Sequence, residues 1–581
     1  MRTLGAVDTE LTATRLPPQG APKLSVRVCI WLLSGLSAIV YANTLGSGFT
    51  YDDFPLMLGN PAVTSPSLSS FFKPTQSTNL LRPVTFSSFA LNWAFGNLHP
   101  MGYHLVNLLL HAGVTVLLYL VLRKLLENVP QADAICFVAA ALFAVHPIHT
   151  EAVASIYGRS EELAAGFLFA GWLLHLKDRL IPALLCFLLA LLSKESAVAF
   201  LPLVLAGDFA CGKFKPASRY GWLAGLTLLF VALLWKTQGG HLEKSIYSPL
   251  DNPLSSLPGP IRIGNALRIA WKYIGLLVYP ANLSYDYSYN AIRLYAGWKN
   301  LLAAAAAAWA VLGLWFWAAW TGRKPWMLAG AIYLGGFAVT ANIVVSTGPT
   351  IMAERLAYLP SAGFCLLLAL LWGQIASRKP TAAWALLAIL LLALGARTVA
   401  RNRDWKDNLT LFSQGVKAEP GSARVHRDLG EEYASRGQIE AASAEFQAAL
   451  RIYPDYAEAA EGYGLAESRL VHEQVGQKWL ETAVSLSKKG TSDHDVMEVN
   501  LATHLFKFGQ PDEALSILNR EIQEQPGYGL AWSHRALIWQ QRGDLAAART
   551  DAETALRLDP GNQEAQAVMR EVSKDPAIHA H

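Results

Sequence analysis

Long apolar runs, each closed by a short polar break, fill the first 400 residues of the chain. Runs near 26–45, 103–122, 134–146, 161–176, 181–193, 196–210, 221–236, 299–320, 326–346, 356–376 and 381–399 predict eleven membrane-spanning helices. A bilayer core asks for about 20 apolar residues per helix, so the shorter runs must borrow from their polar flanks. A further run near 261–283, "IRIGNALRIAWKYIGLLVYPANL", holds Arg268 and Lys272 inside it. Charge at a span centre costs at least about 2.5–3.5 kcal/mol per residue on insertion scales. That run therefore reads as an amphipathic helix in the membrane interface.

Past Asp404 the pattern changes to alanine-rich, charge-rich sequence punctuated by Pro420, Pro454, Pro526 and Pro560. The first and last of these intervals are 34 residues, the period of tetratricopeptide helix hairpins. In the repeat from about Ala423, Leu429, Gly430 and Tyr433 sit on the first helix. Ala442, Phe446 and Ala449 give the second a small-large-small face, and Pro454 stops it. The last repeat, from about Gly529, carries Trp532, Trp539, Ala548, Ala555 and Pro560. The stretches near 457–488 and 495–526 keep the period only weakly, and "NLTLFSQGVKAEP" reads as a half repeat joining the stack to the last span. Three to four hairpins stacked in this way make a short solenoid with a concave binding face. The expected fold is all-α: a cytoplasmic tail (1–25), a polytopic membrane domain (26–403) with a first outer loop at 46–102, tetratricopeptide repeats (404–574) and a tail (575–581).

Charge adds sidedness. The chain is 52% hydrophobic and 16% charged, against roughly 25% charged in soluble domains. From Asp404 onward there are 18 Lys and Arg against 28 Asp and Glu, an acidic balance that argues against nucleic acid as a partner. The breaks "RKLLE", "KDR", "KFKPASR", "GRK" and "SRK" are basic and fall on one side when eleven spans are counted. That side is the cytoplasm, so the Asp-Asp loop and the repeats are expected together on the outer, periplasmic face of the cytoplasmic membrane. The N-terminus has no short apolar core with a small-residue cleavage site and reads as a tail before an uncleaved span. Five cysteines, all in or beside apolar runs, form no metal spacing and no disulfide framework.

The outer breaks hold acids and bases at membrane depth. "FTYDDFPLMLGNPAV" contains Asp52 and Asp53. "LLRPVTFSSFALN" contains Arg82, and "GYHLVN" contains His104. "HPIHTEAVASIYGRSEE" contains His146, His149, Glu151, Arg159 and Glu161. "LLSKESAV" contains Lys194 and Glu195, and "GPTIMAERLAYLPSAG" contains Glu354, Arg355 and Tyr358. Ionisable groups at this depth mark function by default. The plain alternative is local neutralisation, Lys194 by Glu195 and Glu354 by Arg355. His146 and His149 lack the spacing of a helical zinc pair, with a proline between them. No metal ligand set and no cofactor are assigned; a divalent cation is left open. Carboxylates and cations at an outer membrane surface suit transfer of a sugar from a lipid-linked phosphate. A carboxylate removes the proton of the acceptor hydroxyl, and cations bind the departing phosphate. Adjacent residues of an extended stretch point opposite ways, so only one of Asp52 and Asp53 is expected to meet the acceptor, with Asp52 favoured as base.

These stretches, with "LFAVHPIHTEAVASIYGRSEELAA", "MAERLAYLPSAGF", "RNRDWKDNLTLF" and the repeats, resemble the transmembrane and tetratricopeptide-repeat family of protein O-mannosyltransferase-like enzymes, which has bacterial members. The resemblance covers nearly the whole chain. It implies a membrane domain similar to C-type glycosyltransferases and an inverting hexosyltransferase-like enzyme. The implied donor is a polyprenyl-phosphate-linked sugar, and the implied acceptor is a Ser or Thr hydroxyl of an exported protein or peptide held by the repeats. Asp52 and Asp53 match the catalytic acidic motif, which is Asp-Glu in related protein O-mannosyltransferases. Arg82, Arg159, Lys194 and Arg355 are expected at the donor phosphate. His104, His146, His149, Glu151, Glu161, Glu195, Glu354 and Tyr358 are expected to support them. Two other readings stay open: a glycan or lipid acceptor, and a non-catalytic membrane anchor displaying a repeat scaffold.

Overall fold

The computed structural model describes residues 25–72, 81–237, 248–338, 340–342 and 350–573. The expected C-terminal tail, nearly all of the N-terminal tail, residues 73–80 of the first outer loop and part of the 326–346 run lie outside the described residues. Among the described residues the protein is helical, with no strand. The first part comprises α1 (Val26–Tyr41), α2 (Pro83–Gly96), α3 (Pro100–Leu125), α4 (Ala132–Val145), α5 (Arg159–Leu176), α6 (Leu180–Leu191) and α7 (Phe200–Cys211). It continues with α8 (Ala217–Thr237), α9 (Gly259–Val278), α10 (Trp298–Trp320), α11 (Lys324–Phe337), α12 (Tyr358–Ala376) and α13 (Pro380–Asn402).

Among the described residues every apolar run contains a helix, and the polar breaks set the ends. Ser25 caps α1 by accepting from Val28 N–H, satisfying one amide that a helix start leaves open. Proline stands in the first turn of α2, α3, α11 and α13, where its missing N–H costs nothing. Among the described residues six helical stretches are long and apolar enough to cross a membrane: 26–46, 100–125, 217–237, 301–320, 354–376 and 380–405. A seventh is the pair Ala132–Val145 and Pro147–Val153, bent by 51°. Length and composition of the described helices thus do not confirm the count of eleven. The motifs "HPIHTE" and "LLSKE" cut α4 and α6 short, and α7 has only 12 residues.

Helices α3, α4, α5 and α12 pack against one another at the centre. The peripheral 217–237 and 301–320 helices are only 11% buried over their apolar windows. Trp31, Ile39, Ile181, Trp309 and Leu392 all stand exposed. So much apolar area open to the surroundings suits hydrocarbon as the solvent.

The bundle has two chemically distinct ends. At one, Lys124 and Lys213 reach Glu127 at 2.8 and 2.5 Å, and Lys215 and Arg219 reach Asp178 at 2.8 and 3.1 Å. The Lys324 ammonium lies beside Gly212, and one cleft brings together Gln131, Arg323 and Ser377. All five basic breaks meet there. The other end of α3, about 39 Å away at 1.5 Å per residue, holds His104 against the Gly48 carbonyl and the acid-base motifs. Helix α9, the amphipathic run, folds Arg268 over the Tyr295 ring at 3.9 Å and pairs Lys272 with Glu419 at 2.9 Å. Its charges therefore face protein.

The second part begins with α14 (Asn408–Ala418). Four helix hairpins follow: 423–435 with 439–452, 457–469 with 473–486, 492–507 with 511–524, and 529–541 with 545–558. A closing helix spans Gln563–Val572. Leu429, Ala442, Phe446 and Ala449 are buried. A Cβ on Gly430 or Gly462 would stand 2.9 or 2.5 Å from the Phe446 ring, so small residues are needed where that ring inserts. The two weakly patterned repeats form hairpins as well, with Gly464 against Leu480 in the first of them. The two parts are joined along a seam. Tyr285 donates to Asp428 at 2.8 Å, the Ala423 amide donates to the Tyr289 carbonyl at 2.9 Å, and Arg424 pairs with Asp251.

Candidate active site

The loop after α1 turns through Phe54–Leu58, and Asn60 then caps a short helix at Pro61–Thr64 by accepting from Ala62 N–H. At its head Asp52 and Asp53 diverge. Asp53 is fully buried. Its Oδ2 accepts from the Thr50 amide at 2.9 Å and its Oδ1 from the Tyr157 amide at 2.8 Å. Burial pushes its carboxyl up to about 7, against the lowering effect of the two amides and with a smaller upward push from Asp52. The Asp52 side chain keeps 17% exposure and accepts from Arg355 Nη1 at 2.9 Å. The same Nη1 lies 2.9 Å from Glu151 Oε1, while the Arg355 amide donates to Glu151 Oε2 at 2.9 Å.

A second strand of contacts starts from Asp53's partner. Tyr157 accepts from Arg82 Nη1 at 3.2 Å, and Arg82 grips Glu195 with two donors, Nε at 3.1 Å and Nη2 at 2.5 Å. Next in sequence to Glu195, Lys194 pairs with Glu161 in the first turn of α5. Burial holds the Lys194 ammonium below its ordinary value, with Glu161 opposing. The local pairings, Lys194 with Glu195 and Glu354 with Arg355, are therefore replaced by long-range ones. Glu354 instead accepts from the Ser284 amide and the Tyr287 hydroxyl at 2.6 and 2.8 Å, with Arg401 at 3.7 Å.

Arg159, expected at the donor phosphate, is engaged with neutral partners on neighbouring helices. Its guanidinium is fully buried and donates to Asn107 at 2.8 Å, Asn92 at 2.6 Å, Ser88 at 3.2 and 3.3 Å and the Tyr103 carbonyl at 3.0 Å, over the Phe89 ring. Arg159 thus ties α2, α3 and α5 together, and among the described residues it makes no contact with Asp52 or Arg355. The histidines are also engaged. His146 accepts from Ile148 N–H and meets the Leu277 carbonyl, and His149 meets Ser361 Oγ at 2.7 Å. Tyr358 Oη meets His111 Nδ1 at 2.8 Å. Among the described residues no group of three His, Cys, Asp or Glu is arranged to hold a metal.

Sequence reading passed over Tyr157, His111, Tyr287 and Arg401. His111 was findable as an ionisable group inside an apolar run. Tyr157 was not, because its role rests on its backbone amide as much as on its hydroxyl.

Residues 241–313 match the family model described as Protein O-mannosyl-transferase TMTC, DUF1736, and residues 395–457 and 499–563 match the tetratricopeptide-repeat model. Protein O-mannosyl-transferase F38B6.6 of Caenorhabditis elegans is 31% identical over 76% of this chain and 65% of its own length. Protein O-mannosyl-transferase TMTC3 of Homo sapiens is 27% identical over 92% of this chain and 64% of its own length. The chain thus spans just under two thirds of these curated relatives. Among solved structures, an Archaeoglobus fulgidus oligosaccharyltransferase tethered with an acceptor peptide aligns at 12% identity and TM-score 0.36, over 66% of this chain and 55% of that one. That likeness is too faint to argue from.

Proposed function

We propose that this chain is a membrane glycosyltransferase of the TMTC type, moving a sugar from a polyprenyl-phosphate-linked donor to an acceptor hydroxyl. Mannose, the sugar in the relatives' names, is the first to test, and a Ser or Thr of an exported protein bound by the repeats is the first acceptor. The observation that carries the reading is the split between the two aspartates. Asp53 is spent on backbone amides, and Asp52 stands part-exposed beside the guanidinium of Arg355.

In the transfer step the acceptor oxygen bonds to the anomeric carbon as the bond from that carbon to the phosphate oxygen breaks. The hydroxyl proton passes to Asp52. The lipid phosphate leaves with the bonding pair, and its growing charge is met by Arg355. Lys194 and Arg82, each held by a carboxylate, are assigned as the further cations for that phosphate. Glu151 orients Arg355 through both its side chain and its backbone. Arg159 is assigned to holding the helices rather than the phosphate. A repeat-bearing anchor without chemistry would have no use for these desolvated ion pairs, whose burial costs several kcal/mol per ion.

Labelled polyprenyl-phosphate-mannose added to the purified full chain tests the donor assignment. Arg355→Ala should weaken donor binding by roughly 10-fold or more, the value of a charge-assisted contact at about 1.5–3 kcal/mol. Undiminished donor affinity in a folded Arg355→Ala protein would remove Arg355 from the phosphate site.

A further inference from the structure

We infer that Asn408, at the start of the repeat region, is a positioning residue for the loop that carries Asp52, so that the first helix after the membrane domain completes the site. The inference rests on the reading of Asp52 as the base. Tyr51, the residue before Asp52, has φ of 45°. This is the left-handed region, which a side chain with a Cβ rarely adopts. Such a residue persists where its surroundings fix it. Here they fix it from the repeat side. The Tyr51 amide donates to Asn408 Oδ1 at 2.9 Å. The Tyr51 ring packs edge-on against Phe412 of α14 at 6.2 Å and against Tyr285 at 5.0 Å. Just upstream, the Gly48 amide donates to the Lys406 carbonyl at 2.8 Å.

The left-handed turn is what separates the two carboxylates. It sits immediately before Asp52, which faces Arg355, while Asp53 turns back to the amides of Thr50 and Tyr157. Asn408 is itself anchored, because Asp407 caps α14 by accepting from the Thr410 amide at 2.9 Å. The turns between the membrane helices supply Arg355 and Tyr157, but the peptide that aims Asp52 is also held from the repeat side. The repeats are therefore needed for the chemistry itself, in addition to any acceptor they bind.

The test uses the full chain in detergent and two readouts. Asn408→Ala removes the acceptor oxygen; Asn408→Asp keeps one. In amide hydrogen exchange, the peptide covering residues 48–54 should exchange about tenfold faster in Asn408→Ala, the scale of one lost hydrogen bond. The repeat helices should be unchanged, and Asn408→Asp should stay near wild type. In transfer of labelled mannose from polyprenyl-phosphate-mannose to a Ser/Thr peptide, Asn408→Ala should lose about 10- to 100-fold in kcat. The donor KM should hold, and Asn408→Asp should recover the rate. Unchanged exchange in Asn408→Ala overturns the inference, and so does faster exchange with full transfer. Asp52→Asn, run alongside, isolates the parent reading. If it transfers normally the base is wrongly assigned, while the exchange arm still decides whether Asn408 holds the loop.

Discussion

Asp53 accepts from two backbone amides in a fully buried place, and its proton is therefore coupled to folding. Its folded value, about 7, lies above the ordinary 3.8. The folded chain holds the proton more tightly than the unfolded one. Stability is thus greatest when the group is protonated in both states, and falls as pH rises from about 4 to about 7. Asp53→Asn removes this titration and turns an amide NH₂ or a lone oxygen toward donors that want two acceptors. Thermal unfolding followed from pH 4 to 8 should show a flatter profile for the variant over that window, with a loss of about 1–3 kcal/mol for the unsatisfied amide. An unchanged slope would mean that Asp53 does not titrate with folding. At this scale the sequence picked out ionisable residues at membrane depth and was silent about their partners. The two aspartates were expected to diverge because "YDDF" read as extended, whereas the stretch is a turn, with Tyr51 left-handed and Asp53 helical. The ion pairs were not readable, because they join positions far apart: Arg355 to Asp52 across 303 residues, Arg82 to Glu195 across 113 and Lys194 to Glu161 across 33. No local pattern encodes such a match. The partners of Arg159 were hidden for the same reason, since Ser88, Asn92 and Asn107 sit on other helices and are not charged.

Among elements, the turn at residues 155–158 deserves the strictest geometry. It joins the short helix Thr150–Val153, which carries Glu151, to α5, and it presents the Tyr157 amide to Asp53. A Cβ on Gly158 would stand 2.3 Å from the Ala152 carbonyl oxygen and 2.6 Å from that of Glu151. Both are backbone atoms that cannot swing aside. Gly158→Ala should therefore displace Glu151 and Tyr157 together, destabilise the protein by about 1–3 kcal/mol and abolish transfer. A folded Gly158→Ala protein with a normal melting temperature would show the turn to be looser than described. Helix positions were legible because apolar runs and prolines dictate them. Span lengths were less so, because the polar motifs that build the site also terminate the helices, as Pro147 does to α4. The amphipathic α9 was recognised from Arg268 and Lys272, but the faces they meet, Tyr295 and Glu419, come from elsewhere in the chain.

For the whole molecule, the 34-residue proline period made the repeats legible, and the basic breaks made the two ends of the bundle legible. The seam between the parts was not, because it is built from single contacts such as Tyr285 to Asp428. The expected sidedness can be tested at the same two ends. With the five native cysteines replaced, cysteines placed at Ser492 and at Gly322 should label oppositely with an impermeant thiol reagent in cells whose outer envelope admits it. Ser492 should react and Gly322 should not; the reverse pattern would invert the topology. Asp52, as the proposed base of a sugar transfer at the repeat-bearing end of the bundle, is tested most directly by the rate of labelled-mannose transfer from polyprenyl-phosphate-mannose by matched amounts of folded wild-type and Asp52→Asn protein. Asparagine keeps the size of the side chain and removes its basicity. A loss of about 10²–10⁴-fold is expected, the usual contribution of a general base, with donor binding retained. Transfer by Asp52→Asn at the wild-type rate would contradict that role.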